Sequence, residues 1–151
     1  MVNTMKKGVY CLVLSHRPCT IRVGALGYLA FPAGWHVYCG SAQGSGGLKR
    51  VQRHIGLATS HNKTARWHID YLLQDKRVAL LSVLCAYTTR PLECELASAL
   101  GGVPVPGFGC SDCRCNSHLF FFDTDPVDKI MNAMRSISLD PVIATINTKQ
   151  G

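Results

Sequence analysis

Gly8-Val9-Tyr10 and Tyr38-Cys39-Gly40 each put a tyrosine hydroxyl at the edge of a strand-like apolar run. The second run leads into a small, polar, glycine-rich turn, Ser41-Ala42-Gln43-Gly44-Ser45-Gly46-Gly47. A basic segment follows: Leu48-Lys49-Arg50-Val51-Gln52-Arg53-His54. Strand, flexible turn and basic helix together can hold a phosphate between backbone amides and cationic side chains. Tyrosine hydroxyls nearby can move protons or hydrogen-bond a phosphate or a water. Arg50 and Arg53 both qualify as phosphate contacts. His54 follows Arg50 by four residues, which places both on one helical face.

Two further clusters have chemical potential. Pro91-Leu92-Glu93-Cys94-Glu95-Leu96-Ala97 reads as a helix start with two carboxylates. Residues two apart do not line up on a helix, so Glu93 and Glu95 face different ways; either also suits the positive end of a helix dipole. Cys110, Cys113, Cys115 and His118 supply the donor types of a tetrahedral zinc site. The spacing is against an ordinary finger, since one residue separates Cys113 from Cys115 and no second distant pair exists. In the other reading the sulfurs of Cys113 and Cys115 are buried, and Ser111, Asp112 and His118 face a cleft.

The elements that must position these residues follow from pattern. Residues 10–14, 21–23, 28–31 and 35–39 read as strands, with turns at Arg17-Pro18, Gly24–Gly27 and Pro32–Gly34. Such short loops favour an antiparallel meander. Leu48, Val51 and Ile55 fall at helical spacing, with Gly56 ending the pattern and a polar loop from Ala58 to Thr64. Residues 67–73 suit a short helix or turn in which Trp67 and Tyr71 pack, and His68 and Asp70 could support a site. Residues 78–87 form a long apolar run, expected to be a buried strand. Pro91 can open a helix with Leu92, Leu96, Ala99 and Leu100 on one face, stopped by Gly101-Gly102. A loop over 103–116, a strand over 117–122 and a helix over 126–136 follow, the helix turning Val127, Ile130, Met131 and Met134 inward. The residues from Asp140 onward carry no clear pattern.

With 151 residues and 47% hydrophobic content, the chain fits one domain with a real core. No apolar run approaches the ~20 residues of a membrane span, and no small-residue cleavage site follows the apolar start; a cytoplasmic protein with no membrane partner is expected. Sixteen Lys and Arg against nine Asp and Glu give a net charge of +7, which favours a polyanionic partner. Eight cysteines are many, but Cys11 and Cys85 sit inside apolar runs, where a thiol acts as a small hydrophobe. Reduced thiols are expected.

The order and spacing of these segments resemble the GIY-YIG nucleases, DNA-cutting domains that use two tyrosines, an arginine and a glutamate-bound divalent metal. Tyr38-Cys39-Gly40-Ser41-Ala42, Arg53-His54, Trp67-His68-Ile69-Asp70-Tyr71-Leu72, Pro106-Gly107-Phe108-Gly109, Ser111-Asp112-Cys113 and Ser117-His118 extend the resemblance to the Uri-type endonuclease branch. The matches run from Gly8 to about Phe122. The resemblance implies one GIY-YIG-like α/β (α+β) domain over 1–151, a small, mainly antiparallel sheet flanked by helices, with its core at about 8–136 and a tail over 140–151. It implies a metal-dependent endonuclease that hydrolyses DNA phosphodiesters in repair or processing. Tyr38 would then activate water, Tyr10 and His54 orient, Arg50 clamp the phosphate and Glu93 hold Mg²⁺ or Mn²⁺, with Glu95 the alternative carboxylate. Lys49, Arg53, His68, Asp112 and His118 would contact DNA, and the cysteine-rich loop would close over the site rather than bind Zn²⁺. Two rivals remain: a non-catalytic nucleic-acid-binding module on the same scaffold, and a zinc-stabilised interaction domain.

Overall fold

In the computed structural model, residues 3, 5–60, 64–109 and 117–146 are described. The run Gly8–His16 is apolar at both odd and even positions, the pattern of a strand covered on both faces. It forms β1 near the middle of a six-stranded sheet. Chain order continues with β2 (Cys19–Arg22), a 3₁₀ turn at Gly24–Leu26, β3 (Tyr28–Phe31), β4 (Gly34–Ala42), α1 (Lys49–Ser60) and α2 (His68–Gln74). After these come β5 (Val78–Tyr87), α3 (Glu93–Leu100), β6 (Val103–Pro104), β7 (Leu119–Phe122), α4 (Val127–Ser136) and β8 (Val142–Thr145). The large sheet has the order β6-β7-β4-β1-β5-β8 and every pairing in it is antiparallel. The expected α+β architecture, a mainly antiparallel sheet flanked by helices, is what the chain adopts.

Each sheet face carries its own core. Tyr10, Leu12 and Leu14 point to the side where α1, α2 and the β2–β3 pair contribute Val51, Leu57, Ile69, Leu72 and Phe31. Val9, Cys11 and Val13 point to the other side, against Leu96 and Leu100 of α3 and Ile130 and Met134 of α4. The period-2 alternation of a strand thus divides β1 between two helical layers.

Several expectations are corrected. The meander fails because β2 and β3 pair only with each other, as a separate two-stranded sheet over the α1/α2 layer, and β4 returns to pair directly with β1. Gly56 does not end α1, which runs on to Ser60 and buries Leu57 and Ala58. Packing against the sheet outweighs the modest intrinsic cost of one helical glycine. In α3 the inward residue is Ala97, and Ala99 is exposed. Val103 and Pro104, expected in a loop, pair with β7 as β6. The patternless tail contains β8, an edge strand on β5. Among the described residues, no helix is long and apolar enough to cross a membrane.

Candidate active site

The register of β1 on β4 sets the two tyrosines. Tyr10 lies opposite Gly40 and Leu12 opposite Tyr38, so Tyr10 and Tyr38 share one sheet face on neighbouring strands. Close packing explains the glycines beside them. A Cβ at Gly40 would lie 2.3 Å from the Tyr10 ring, so the ring can lie flat over β4 only because residue 40 has no side chain. A Cβ on Gly8 would lie 2.4 Å from the Ala86 carbonyl oxygen of β5. The tripeptides are therefore a packing unit: each glycine makes room on a strand for what crosses it.

Helix α1 approaches this face with its first turn at the tyrosines. Arg50 is its second residue. The guanidinium is exposed, donates from Nη1 to the Ser41 carbonyl at 2.9 Å, and lies 5.1 Å from the Trp67 ring centroid. His54, one turn on, is fully buried and does not line the cleft. Its Nε2 meets the Tyr10 hydroxyl at 2.8 Å, so it braces Tyr10 from behind. Arg53 makes a bidentate pair with Asp70, Nη1–Oδ1 3.0 Å and Nη2–Oδ2 2.8 Å, and stacks 4.4 Å from the Trp67 centroid. Asp70, fully buried, also accepts the backbone N–H groups of Arg66 and Trp67 and so caps α2. Arg53 is thus tied into the α1–α2 junction, while Lys49 at the start of α1 is exposed.

Glu93 opens α3 on the far side of the tyrosines. A cleft of about 370 Å³ is lined by Tyr10, Tyr38, Ser41, Arg50, Glu93 and His118. Glu95 does not line it and is exposed. His118 Nδ1 is 3.0 Å from the Cys39 carbonyl, which can only accept, so this nitrogen carries a proton. An adjoining hollow of about 260 Å³ shares Tyr10, Tyr38 and Arg50 and adds Arg66, Trp67 and His68. There the Gly109 N–H donates to His68 Nδ1 at 2.8 Å. Neutral His68 must then carry its proton on Nε2.

Burial dominates the electrostatics. It raises the Tyr10 hydroxyl well above its ordinary pKa, reinforced by Tyr38 and opposed by Arg50. It also raises Tyr38, again with Arg50 opposing. Burial lowers His54 to about 4; Asp70 pulls it back up, while Arg53 and Arg50 push it further down. His54 is therefore neutral at neutral pH, and its Nδ1 has no partner among the described residues. An orphaned buried N–H is rarer than an under-satisfied acceptor. That favours a proton on Nε2, donated to the Tyr10 oxygen, which leaves the Tyr10 O–H for the cleft.

Four of the five expected catalytic residues, Tyr10, Tyr38, Arg50 and Glu93, meet in one cleft, and His54 touches it through Tyr10. Asp112, Cys110, Cys113 and Cys115 lie outside the described residues. Cys11, Cys19, Cys39 and Cys85 are free thiols, but Cys94 is disulfide-bonded, which corrects the expectation of reduced thiols throughout. Three cleft residues escaped the sequence reading. Trp67, expected to pack inside, is 40% exposed beneath two guanidinium groups. Arg66 stands just before the Trp67–Leu72 segment and has no signal of its own. The Ser41 hydroxyl is buried at the cleft with no hydrogen-bond partner among the described residues; its only signal was its place in the turn after Gly40.

The donor set suits a hard divalent cation. One carboxylate and the phenolic oxygens belong to residues that line the cleft, and no second acidic residue lines it among the described residues. Mg²⁺ is commonly held by one or two carboxylates, with waters and substrate phosphate completing its shell.

No curated protein and no solved structure matches the chain. A family model described as a domain of unknown function, DUF123, matches residues 9–139, a span that begins in β1, ends beyond α4 and takes in every residue placed around the cleft. By that match over most of its length, the chain belongs to the DUF123 family.

Proposed function

We propose that this protein is a divalent-metal-dependent endonuclease that hydrolyses DNA phosphodiester bonds, as its resemblance to the Uri-type branch of the GIY-YIG nucleases implies. One observation carries the reading: Tyr10, Tyr38, Arg50 and Glu93, from four separate elements, line a single cleft. A net charge of +7 and the cationic first turn of α1 supply attraction for the DNA backbone.

The roles follow from placement. Glu93 would hold Mg²⁺ or Mn²⁺; when bound, such a cation acidifies water and offsets charge on the reacting phosphate. Arg50 spends one N–H on Ser41 and turns the rest of its fork to a phosphate oxygen. Tyr38 and Tyr10 flank the position of the attacking water. Both are protonated in the free protein, because burial makes the phenolate costly. Tyr38 takes a proton from the attacking water as it releases its own hydroxyl proton to bulk water, and Arg50 eases negative charge there. Tyr10, held by His54, fixes the water's angle. Water adds to phosphorus, the bond to the leaving sugar oxygen breaks, and that oxygen takes up a proton from bulk water. His68 Nε2–H and Arg66 suit the neighbouring phosphate.

Incubation with single-stranded, duplex, flap and branched DNA in Mg²⁺ or Mn²⁺ tests this. Metal-dependent nicking of at least one substrate is expected, lost on chelation. Tight DNA binding with no cutting of any substrate in either cation would favour the non-catalytic nucleic-acid module instead.

A further inference from the structure

A larger cavity, about 900 Å³, opens at the opposite end of the sheet, where β1 ends, β2 and β4 begin and β5 starts. Its volume is in the range of pockets that enclose whole organic ligands and is far more than a single anion needs. Pro18, Trp35 and the start of β5 give it apolar walls, Arg17, Lys76 and Arg77 give it a cationic rim, and no acidic residue lines it among the described residues. The two ion pairs among the described residues engage Arg53 and Arg77, so neither uses Arg17 or Lys76.

The rim is held in place from beneath. His16 Nδ1 lies 3.0 Å from the Arg17 carbonyl, and His16 Nε2 lies 2.9 Å from His36 Nδ1. A carbonyl only accepts, so His16 carries its proton on Nδ1, and its bare Nε2 accepts from His36 Nδ1–H. The relay from His36 through His16 to the backbone of Arg17 fixes the turn that carries Arg17. Arg77 is fixed as well, by a bidentate pair with Asp75 and a bond from Nη2 to the Thr20 carbonyl.

An aromatic and apolar wall beside unspent cations is the arrangement that takes a nucleobase and its phosphate together. We propose that this cavity binds one unpaired nucleotide of the same DNA strand that enters the cleft, its base against Trp35 and Pro18 and its phosphate between Arg17 and Lys76. This rests on the endonuclease reading and adds the substrate class: DNA with a single-stranded stretch. β1 connects the two sites. Tyr10 lies in the cleft and His16 lines the cavity, and the six residue steps along the strand between them, at about 3.3 Å each, set them about 20 Å apart. At about 3.4 Å per step of a strand stacked as in duplex, that is at most about six nucleotides, and an unstacked strand spans it in fewer.

The test measures affinity for oligodeoxythymidylates of increasing length at low salt, for the full chain and for two double variants. One is Arg17→Glu/Lys76→Glu at the cavity. The other, Lys129→Glu/Arg135→Glu, makes the same charge change on exposed positions of α4. The expected result is a step in affinity of about tenfold or more as the oligonucleotide lengthens to about six residues. The step should be absent from the cavity variant and present in the α4 variant, with short-oligonucleotide binding unchanged in both. Photocrosslinking with a 4-thiothymidine at the distal end should label the peptide bearing Trp35. A smooth length dependence, or equal losses from both variants, would overturn the cavity site while leaving cleavage and the endonuclease reading intact. Failure of the unmodified chain to bind or cut any DNA would remove both.

Discussion

Gly40 is the residue on which the placement of Tyr10 depends, because the Tyr10 ring occupies the volume that any larger residue would need. Gly40→Ala should push the ring off β4 and cost about 1–3 kcal/mol, the usual range for inserting atoms into a packed site. Cleavage should fall about a hundredfold, more than the melting temperature would suggest, because the Tyr10–His54 bond is lost with the ring position. Rates measured well below the variant's melting point separate the two effects; near-normal rates would make Tyr10 a packing residue. The carboxylates give a sharper contrast. Glu93→Gln should abolish cleavage and leave DNA affinity nearly unchanged, since the amide keeps the shape and loses the anionic ligand. Glu95→Gln should behave like the unmodified chain, because Glu95 faces solvent outside the cleft. Nicking assays beside filter binding decide it, and an inactive Glu95→Gln with active Glu93→Gln would reverse the assignment.

Among the elements, α1 carries two arginines with opposite duties. Arg53→Ala leaves the fully buried Asp70 without its cation, a loss that costs about 3–5 kcal/mol for buried pairs. About 3 kcal/mol is expected here, because Asp70 keeps its two backbone N–H bonds. Arg50→Ala exposes no buried charge and should be close to neutral for stability, yet it should slow cleavage at least a hundredfold. Denaturation midpoints and turnover for both variants would show the crossing pattern, and equal effects on stability would dissolve the distinction. The sequence placed Arg50, Arg53 and His54 on one helix but could not divide their labour. Asp70 lies 17 positions from Arg53, and nothing in the local spacing links them. Strands with continuous apolar character, such as β1 and β5, were legible because both faces are covered. β8 was not, because its four residues alternate in burial but not in polarity: the apolar Ile143 stands exposed between half-buried Val142 and Ala144. The separate β2–β3 sheet was hidden for a different reason: short loops announce a hairpin but not which neighbour it declines to join.

For the whole molecule, the buried histidines tie stability to pH. His54 is lowered to about 4 and His36 to about 3, both chiefly by burial, against an ordinary value of 6.5. Above about pH 6.5 each is neutral whether the chain is folded or not, and neither affects the balance. As pH falls below that value the unfolded chain takes up a proton at each site, while the folded chain resists until about pH 4 at His54 and about pH 3 at His36. The unfolded state then binds more protons, so stability falls as pH falls. The slope approaches about 1.4 kcal/mol per pH unit for each histidine. Asp70 and Asp75, held below the usual carboxylate range by Arg53 and Arg77 against burial, lose their contribution in the same direction at still lower pH. Denaturant unfolding at pH 7.5, 6, 5 and 4.5 should therefore show a plateau above about pH 6.5 and a steep decline below it. His36→Gln, which removes one titrating ring behind the distal cavity, should reduce the slope by about one histidine's worth even if its absolute stability is lower. An unchanged slope in that variant would mean that His36 is already hydrated in the folded protein, and the relay that fixes Arg17 would lose its dry setting.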